Sequence, residues 1–122
     1  MNKFRFEDLN VYQEALMFTN SVYVLTVRWP KDEMFGLTNQ FRRAAVSIAL
    51  NIVEGTSRTK KDFRRFLDLA KGSCFECVAI LSIANNRKYI NQQEFESHYD
   101  WLNKIARMIS KLKTFLQITN NE

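Results

Sequence analysis

The chain has little that ends or bends a backbone: one proline and three glycines in 122 residues. Sandwiches and barrels need turn signals every ~8–12 residues, so this scarcity excludes an all-β fold. A long apolar run is also missing. The longest stretch free of Asp, Glu, Lys and Arg is Ala15 to Val27, 13 residues, whereas a membrane span needs about 18 or more. The opening MNKFRFEDLN carries charge where an export signal would be apolar, so a cytoplasmic protein without membrane association is expected.

Catalytic material is equally thin. Cys74 and Cys77 form a CxxC pair, but a thioredoxin-like site places that motif at a helix N-terminus after a strand, and here it falls within a helical pattern. A structural zinc needs about four ligands, and no second CxxC exists. Both cysteines read as small buried apolar residues. His98 is the sole histidine and has no partner Ser, Cys or ligand cluster, so it reads as a surface or half-buried residue beside Tyr99. Di-iron bundles need Glu-x-x-His on two helices, and only Glu94 precedes His98, four positions earlier. The glycines at 36, 55 and 72 form no phosphate-cradling loop. No enzyme, cofactor or metal site is expected.

What is present is helical periodicity. Hydrophobic residues make up 46% and charged residues 25%, a globular balance. Val11, Ala15, Phe18, Val22, Leu25 and Trp29 recur at alternating steps of 4 and 3, which predicts a helix over about 8–28. Pro30 ends it. Leu37, Phe41, Ala44, Ala45, Ile48 and Ile52 predict a second helix over 37–54, with Gly55 as a left-handed cap. A polar stripe, Gln40, Arg43, Ser47, Asn51 and Glu54, follows its other face. Thr59 to Asp62 resembles a capping box and opens a third helix over 59–87. Gly72-Ser73 within it reads as a close-packing point or bend. Asn91 caps a fourth helix over 91–118. These four amphipathic segments with short connections predict one all-α domain, an antiparallel up-down-up-down four-helix bundle. The third and fourth helices carry more apolar surface than one small bundle buries. The surplus, Phe75, Ile80, Ile83, Trp101, Met108 and Phe115, predicts an oligomer interface.

The net charge is +5, and it is local. Residues 42–71 hold eight basic and three acidic side chains, while the remainder holds ten of each. Arg42, Arg43, Arg58, Lys60, Lys61, Arg64 and Arg65 are therefore the candidate nucleic-acid contacts. Guanidinium forks suit phosphate oxygens in pairs. A second basic line, Lys104, Arg107 and Lys111, follows the fourth helix. Phe63 and Phe66 sit at core positions, so backbone recognition with little base specificity is expected.

Several stretches also resemble a known family. They are Phe6-Glu7-Asp8-Leu9-x-Val11-Tyr12-Gln13, the run from Pro30-Lys31-Asp32-Glu33 through Gly36-Leu37-Thr38 to Arg42-Arg43-Ala44-Ala45-Val46-Ser47-Ile48, Asn51-Ile52-Val53-Glu54-Gly55, and Phe66-Leu67-x-x-Ala70-x-Gly72-Ser73-x-x-Glu76. Together they resemble the proteins encoded within intervening sequences of 23S ribosomal RNA genes, over about residues 6–90. Tyr12 stands where tryptophan is usual in that family, Ala49 replaces a usual proline and Cys77 a usual leucine. The resemblance implies a four-helix bundle assembled into a ring, a homopentamer. It also implies kinship with the accessory proteins of diversity-generating retroelements, which bind nucleic acid and a reverse transcriptase. The expected function is thus a non-catalytic, self-associating binder of RNA or DNA. The alternative is a homo-oligomeric protein-binding scaffold with no direct nucleic-acid contact.

Overall fold

The computed structural model describes residues 3–118. A 3₁₀ turn at Arg5–Asp8 leads into α1, Asn10–Thr26. Its buried line is Val11, Ala15, Phe18, Val22 and Leu25, the residues set by the 3-and-4 spacing. The helix stops a turn before Trp29. Pro30 bars the helical region at its predecessor, and the chain turns instead, with the Trp29 N–H donating to the Thr26 carbonyl at 3.1 Å. Trp29 nevertheless stays in the core, stacked on Phe41 at 5.6 Å.

A second 3₁₀ turn, Lys31–Glu33, leads to α2, Leu37–Thr56. Glu33 Oε1 accepts the Leu37 N–H at 3.1 Å and so caps the helix from outside. Phe41, Ala44, Ala45, Ile48 and Ile52 face inward. Gly55 is not the left-handed cap that the sequence suggests. No glycine among the described residues has positive φ, and Gly55 lies buried inside the helix. A Cβ there would sit 2.6 Å from Phe63 Cδ1, so the missing side chain admits the next helix. Gly72, expected to be that close-packing point, is exposed and an added Cβ meets open space. The close-packing role expected of Gly72 belongs to Gly55.

α3 spans Lys60–Asn86, and Thr59 Oγ1 accepts the Asp62 N–H at 3.2 Å. Its end is a Schellman motif: Tyr89 N–H to Ala84 carbonyl at 2.9 Å and Lys88 N–H to Asn85 carbonyl at 3.0 Å. The left-handed position is Lys88, φ 63°, where a side chain costs roughly 1–2 kcal/mol relative to glycine. α4 spans Gln92–Ile118 and begins with a reciprocal capping box between Asn91 and Glu94.

Each helix packs on two others: α1 on α2 and α4, and α3 on α2 and α4. Along α1, Glu14 meets Trp101 and Lys104, Ser21 meets His98, and Arg28 meets Glu94. The α4 partner thus moves toward lower numbers as α1 advances. Between α3 and α4, Asp68 meets Lys113 and Lys71 meets Ser110, again in opposite order. Phe18 is fully buried and touches Phe41 and Trp101 edge-on. No strand occurs among the described residues, and none of the helices is long and apolar enough to cross a membrane.

Candidate nucleic-acid interface

The connection between α2 and α3 is only three residues long. Ser57 Oγ donates to the Glu54 carbonyl at 2.8 Å, the Arg58 N–H donates to the Gly55 carbonyl at 3.1 Å, and Thr59 caps α3. This tight turn forces Arg58, Lys60, Lys61, Arg64 and Arg65 into about two helical turns of chain. Helical spacing separates them into two lines. Lys61 and Arg65 follow the outer face of α3. Lys60 and Arg64 share a line with Lys71, whose Nζ donates to Ser110 of α4 at 2.8 Å, so that line leans toward α4.

The cluster is organised around Phe66. The Arg65 guanidinium lies 4.8 Å above its ring and that of Arg58 lies 5.4 Å away. Arg58 also donates to Glu54 at 2.5 Å, one helical turn earlier. That carboxylate holds the guanidinium charged and raises its pKa further. The Arg58–Glu54 pair is half-exposed on both sides. Lys61 has no recorded partner among the described residues and is exposed.

Arg42 and Arg43 do not join this cluster. The thirteen positions from Arg43 to Thr56 correspond to about 20 Å of helix, so the seven predicted contacts form two groups. Arg42 is committed to the fold: its Nε donates to Thr26 Oγ1 at 2.9 Å and its guanidinium lies 4.7 Å over the Tyr23 ring, tying α1 to α2. Arg43 is exposed and lines shallow grooves on either side of α2 with Asn39 and Ser47. Basic residues that share one thirty-residue stretch of sequence are therefore divided by the rod on which they sit.

The apolar surplus is partly internal. Ile80 is 3% exposed and belongs to the subunit core, a correction to its place in the predicted interface. It follows Cys77 and precedes Ala84 on the buried line of α3. Trp101 and Met108 are half-buried, and Trp101 donates its indole N–H to Glu14 at 2.9 Å. Phe75, Ile83 and Phe115 are exposed. Phe75, Met108, Phe115 and Ile118 line a groove of about 890 Å³ between α3 and α4. Its rim carries Lys71, Lys104, Arg107 and Lys111, which places the second basic line beside the apolar surplus. Lys104 is tied to Glu14 at 3.3 Å.

The remaining candidates are structural. Both cysteines are buried, and desolvation raises Cys74 to about 12 and Cys77 further still. His98 is buried rather than at the surface. Its Nδ1 donates to the Glu94 carbonyl at 2.8 Å, which leaves Nε2 to accept from Ser21 Oγ at 2.8 Å. Its apparent place at the edge of the α4 stripe hid that burial, because α1 covers the edge. No group of three or more metal-ligating side chains occurs among the described residues.

Sequence reasoning missed the contribution of α4 to the basic turn. Phe115, Leu112 and Leu116 border the same recess as Arg58 and Lys60. They lie about fifty residues away in the chain, and no local pattern joins them.

Comparison with known proteins places the chain beside a sequence family and solved structures. The family model described as 23S rRNA-intervening sequence protein matches residues 7–111. A solved structure from Bacteroides thetaiotaomicron, described as a protein of unknown function from the S23 ribosomal protein family, superposes with a TM-score of 0.78 at 21% identity. The match covers 85% of this chain and 95% of that one. No curated protein matches the chain.

Proposed function

The chain belongs to the 23S rRNA-intervening sequence protein family, and on that premise we propose that it is a non-catalytic, self-associating four-helix bundle that binds RNA or DNA along the phosphate backbone. The observation that carries this reading is the cluster Arg58, Lys60, Lys61, Arg64 and Arg65, with Asp62 the single acid among them, at a three-residue turn. Such a patch attracts polyanions, and its forks fit phosphate oxygens. The antiparallel, up-down-up-down topology is supported by the opposed order of the α1–α4 and α3–α4 contacts.

Self-association is supported by the exposed Phe75, Ile83 and Phe115, with Met108 and Ile118 extending the apolar surface. A ring, with five copies as the family resemblance implies, repeats the basic turn around one assembly. Multivalency then converts weak phosphate contacts into useful avidity. Arg43 would add a second, weaker contact on the flank of α2. A cytoplasmic setting suits such a partner.

The test is fluorescence anisotropy with labelled RNA and DNA across a salt series, paired with light scattering. Affinity should fall steeply between about 50 and 200 mM salt, because each neutralised phosphate releases counterion. The scattering mass should be a multiple of the 14.4 kDa chain, five-fold for a pentamer. A monomer indifferent to nucleic acid overturns the proposal. The scaffold reading, in which a reverse transcriptase or other protein is the partner, is favoured by Phe35, 96% exposed beside the polar stripe of α2. Capture of a protein partner that survives nuclease treatment would select it.

A further inference from the structure

Among the cavities bordering the basic turn, one has a composition that phosphate contacts alone do not call for. It lies where the Arg5–Asp8 turn, the end of α2, the start of α3 and the last turns of α4 converge. Its volume is about 290 Å³, at the lower edge of the ~300–1,000 Å³ usual for small-molecule sites. Arg5, Arg58 and Lys60 border it around Phe63, Leu112 and Phe115, and among the described residues no carboxylate lines it.

We propose that this recess accepts one unstacked nucleotide of a single-stranded nucleic acid, its base against Phe115 and its phosphate among Arg5, Arg58 and Lys60. The inference rests on the polyanion-binding reading above and deepens it from backbone recognition to strand state. Charge complementarity selects an anion, since every charged side chain among the described residues of the lining is cationic. The apolar floor selects a ligand with a flat, poorly hydrated part. A nucleotide combines both, and base–aromatic stacking tolerates any sequence because every base has a π-face.

The two phenylalanines are not equivalent here. Phe63 is half-buried with its ring edge against Gly55, so it serves as wall. Phe115 is 60% exposed, and its ring can take a base without leaving the fold. Arg58 holds Glu54 through one nitrogen, and a guanidinium has five donors. A paired duplex keeps its bases stacked inside and cannot enter a recess of this size. Binding should therefore discriminate single strands from duplexes, which the outer line of Lys61 and Arg65 alone would not do.

The experiment compares wild type, Phe115→Ala and Arg5→Gln by anisotropy against an RNA of about 12 nucleotides, a length within the usual range of single-strand site sizes. The same RNA is presented as a single strand and as a duplex. Wild type should prefer the single strand. Phe115→Ala should weaken single-strand binding at least about fivefold beyond any loss of duplex binding, the lower bound for losing one stacked base, the duplex loss reporting its share in self-association. Arg5→Gln should reduce the single-strand salt slope by about 0.7 without changing the assembly mass, which separates the recess from the apolar groove. If both variants bind single strands as wild type does, or lose both forms equally, the recess proposal falls while polyanion binding stands. If wild type binds neither form, the polyanion reading itself fails and takes this inference with it.

Discussion

The two ends of the molecule hold similar numbers of cations and use them differently. At the end where α1 passes to α2 and α3 to α4, three arginines are tied into the fold. Arg28 pairs with Glu94, Arg42 is held by Thr26 and Tyr23, and Arg87 donates to the Tyr89 hydroxyl. That hydroxyl in turn donates to Glu33 Oε2 while Glu33 Oε1 caps α2. At the α2–α3 turn, Arg58 pairs with Glu54 in the preceding helical turn, and Arg58 and Arg65 lie over the Phe66 ring. The lesson is that charge count does not identify a binding face. What distinguishes the faces is spacing: five cations with one acid stand within eight residues at the α2–α3 turn, whereas Glu33 and Glu94 stand among the cations of the other end.

That contrast can be broken from either end. The largest stability effect is expected at Gly55. Gly55→Ala places a methyl 2.6 Å from the Phe63 ring, and overpacking of this kind costs about 1–3 kcal/mol. A urea midpoint shifted down at unchanged slope is the check. Because the strain falls beneath the basic turn, nucleic-acid affinity should decline with it.

Next comes Glu94→Ala at the opposite end, which removes both the Asn91 cap and the Arg28 pair and should cost about 1 kcal/mol. The sign of its pH dependence is fixed. The Arg28 hydrogen bond holds the Glu94 carboxyl below its usual range, and the Leu37 N–H and Tyr89 hydroxyl do the same for Glu33. Such groups stabilise the fold at neutral pH, and that contribution is lost as pH falls through their depressed values, below the ordinary 4.5. Thermal melts of the variant should show a shallower acid-side decline than wild type, with nucleic-acid binding at neutral pH unchanged.

The smallest stability effect is expected from Lys61→Gln. An exposed lysine without a partner among the described residues should change stability by less than about 0.5 kcal/mol. The same variant should lower the salt slope of binding by about 1. Opposite outcomes for Glu94→Ala and Lys61→Gln would confirm the division between ends. A Lys61→Gln protein that melts early yet binds normally would refute it.

The helices were legible because their apolar spacing repeats over four or more turns, as from Val11 to Leu25. Pro30 and Thr59 marked boundaries through local chemistry. The roles of the glycines were not legible. Gly55 and Gly72 occupy equally plausible positions along the chain, and only the approach of Phe63 distinguishes them. Ile80 looked surplus because a helix face is judged surplus only relative to its neighbours, which the sequence does not display. Arg42 looked like a ligand contact for the same reason: Thr26 and Tyr23 lie in another helix. The basic turn itself was readable, since its residues are adjacent. The aromatic side of its recess was not, because Phe115 arrives from the far end of the chain.

The two thiols of α3 give the molecule an internal clock. With Cys74 and Cys77 sealed in the interior and their ionisation suppressed by burial, an alkylating reagent can react only during excursions that uncover them. The rate of modification therefore measures how often the third rod parts from its neighbours, in the natural protein and without an introduced probe. If an assembled ring clamps that rod, labelling should slow as protein concentration rises.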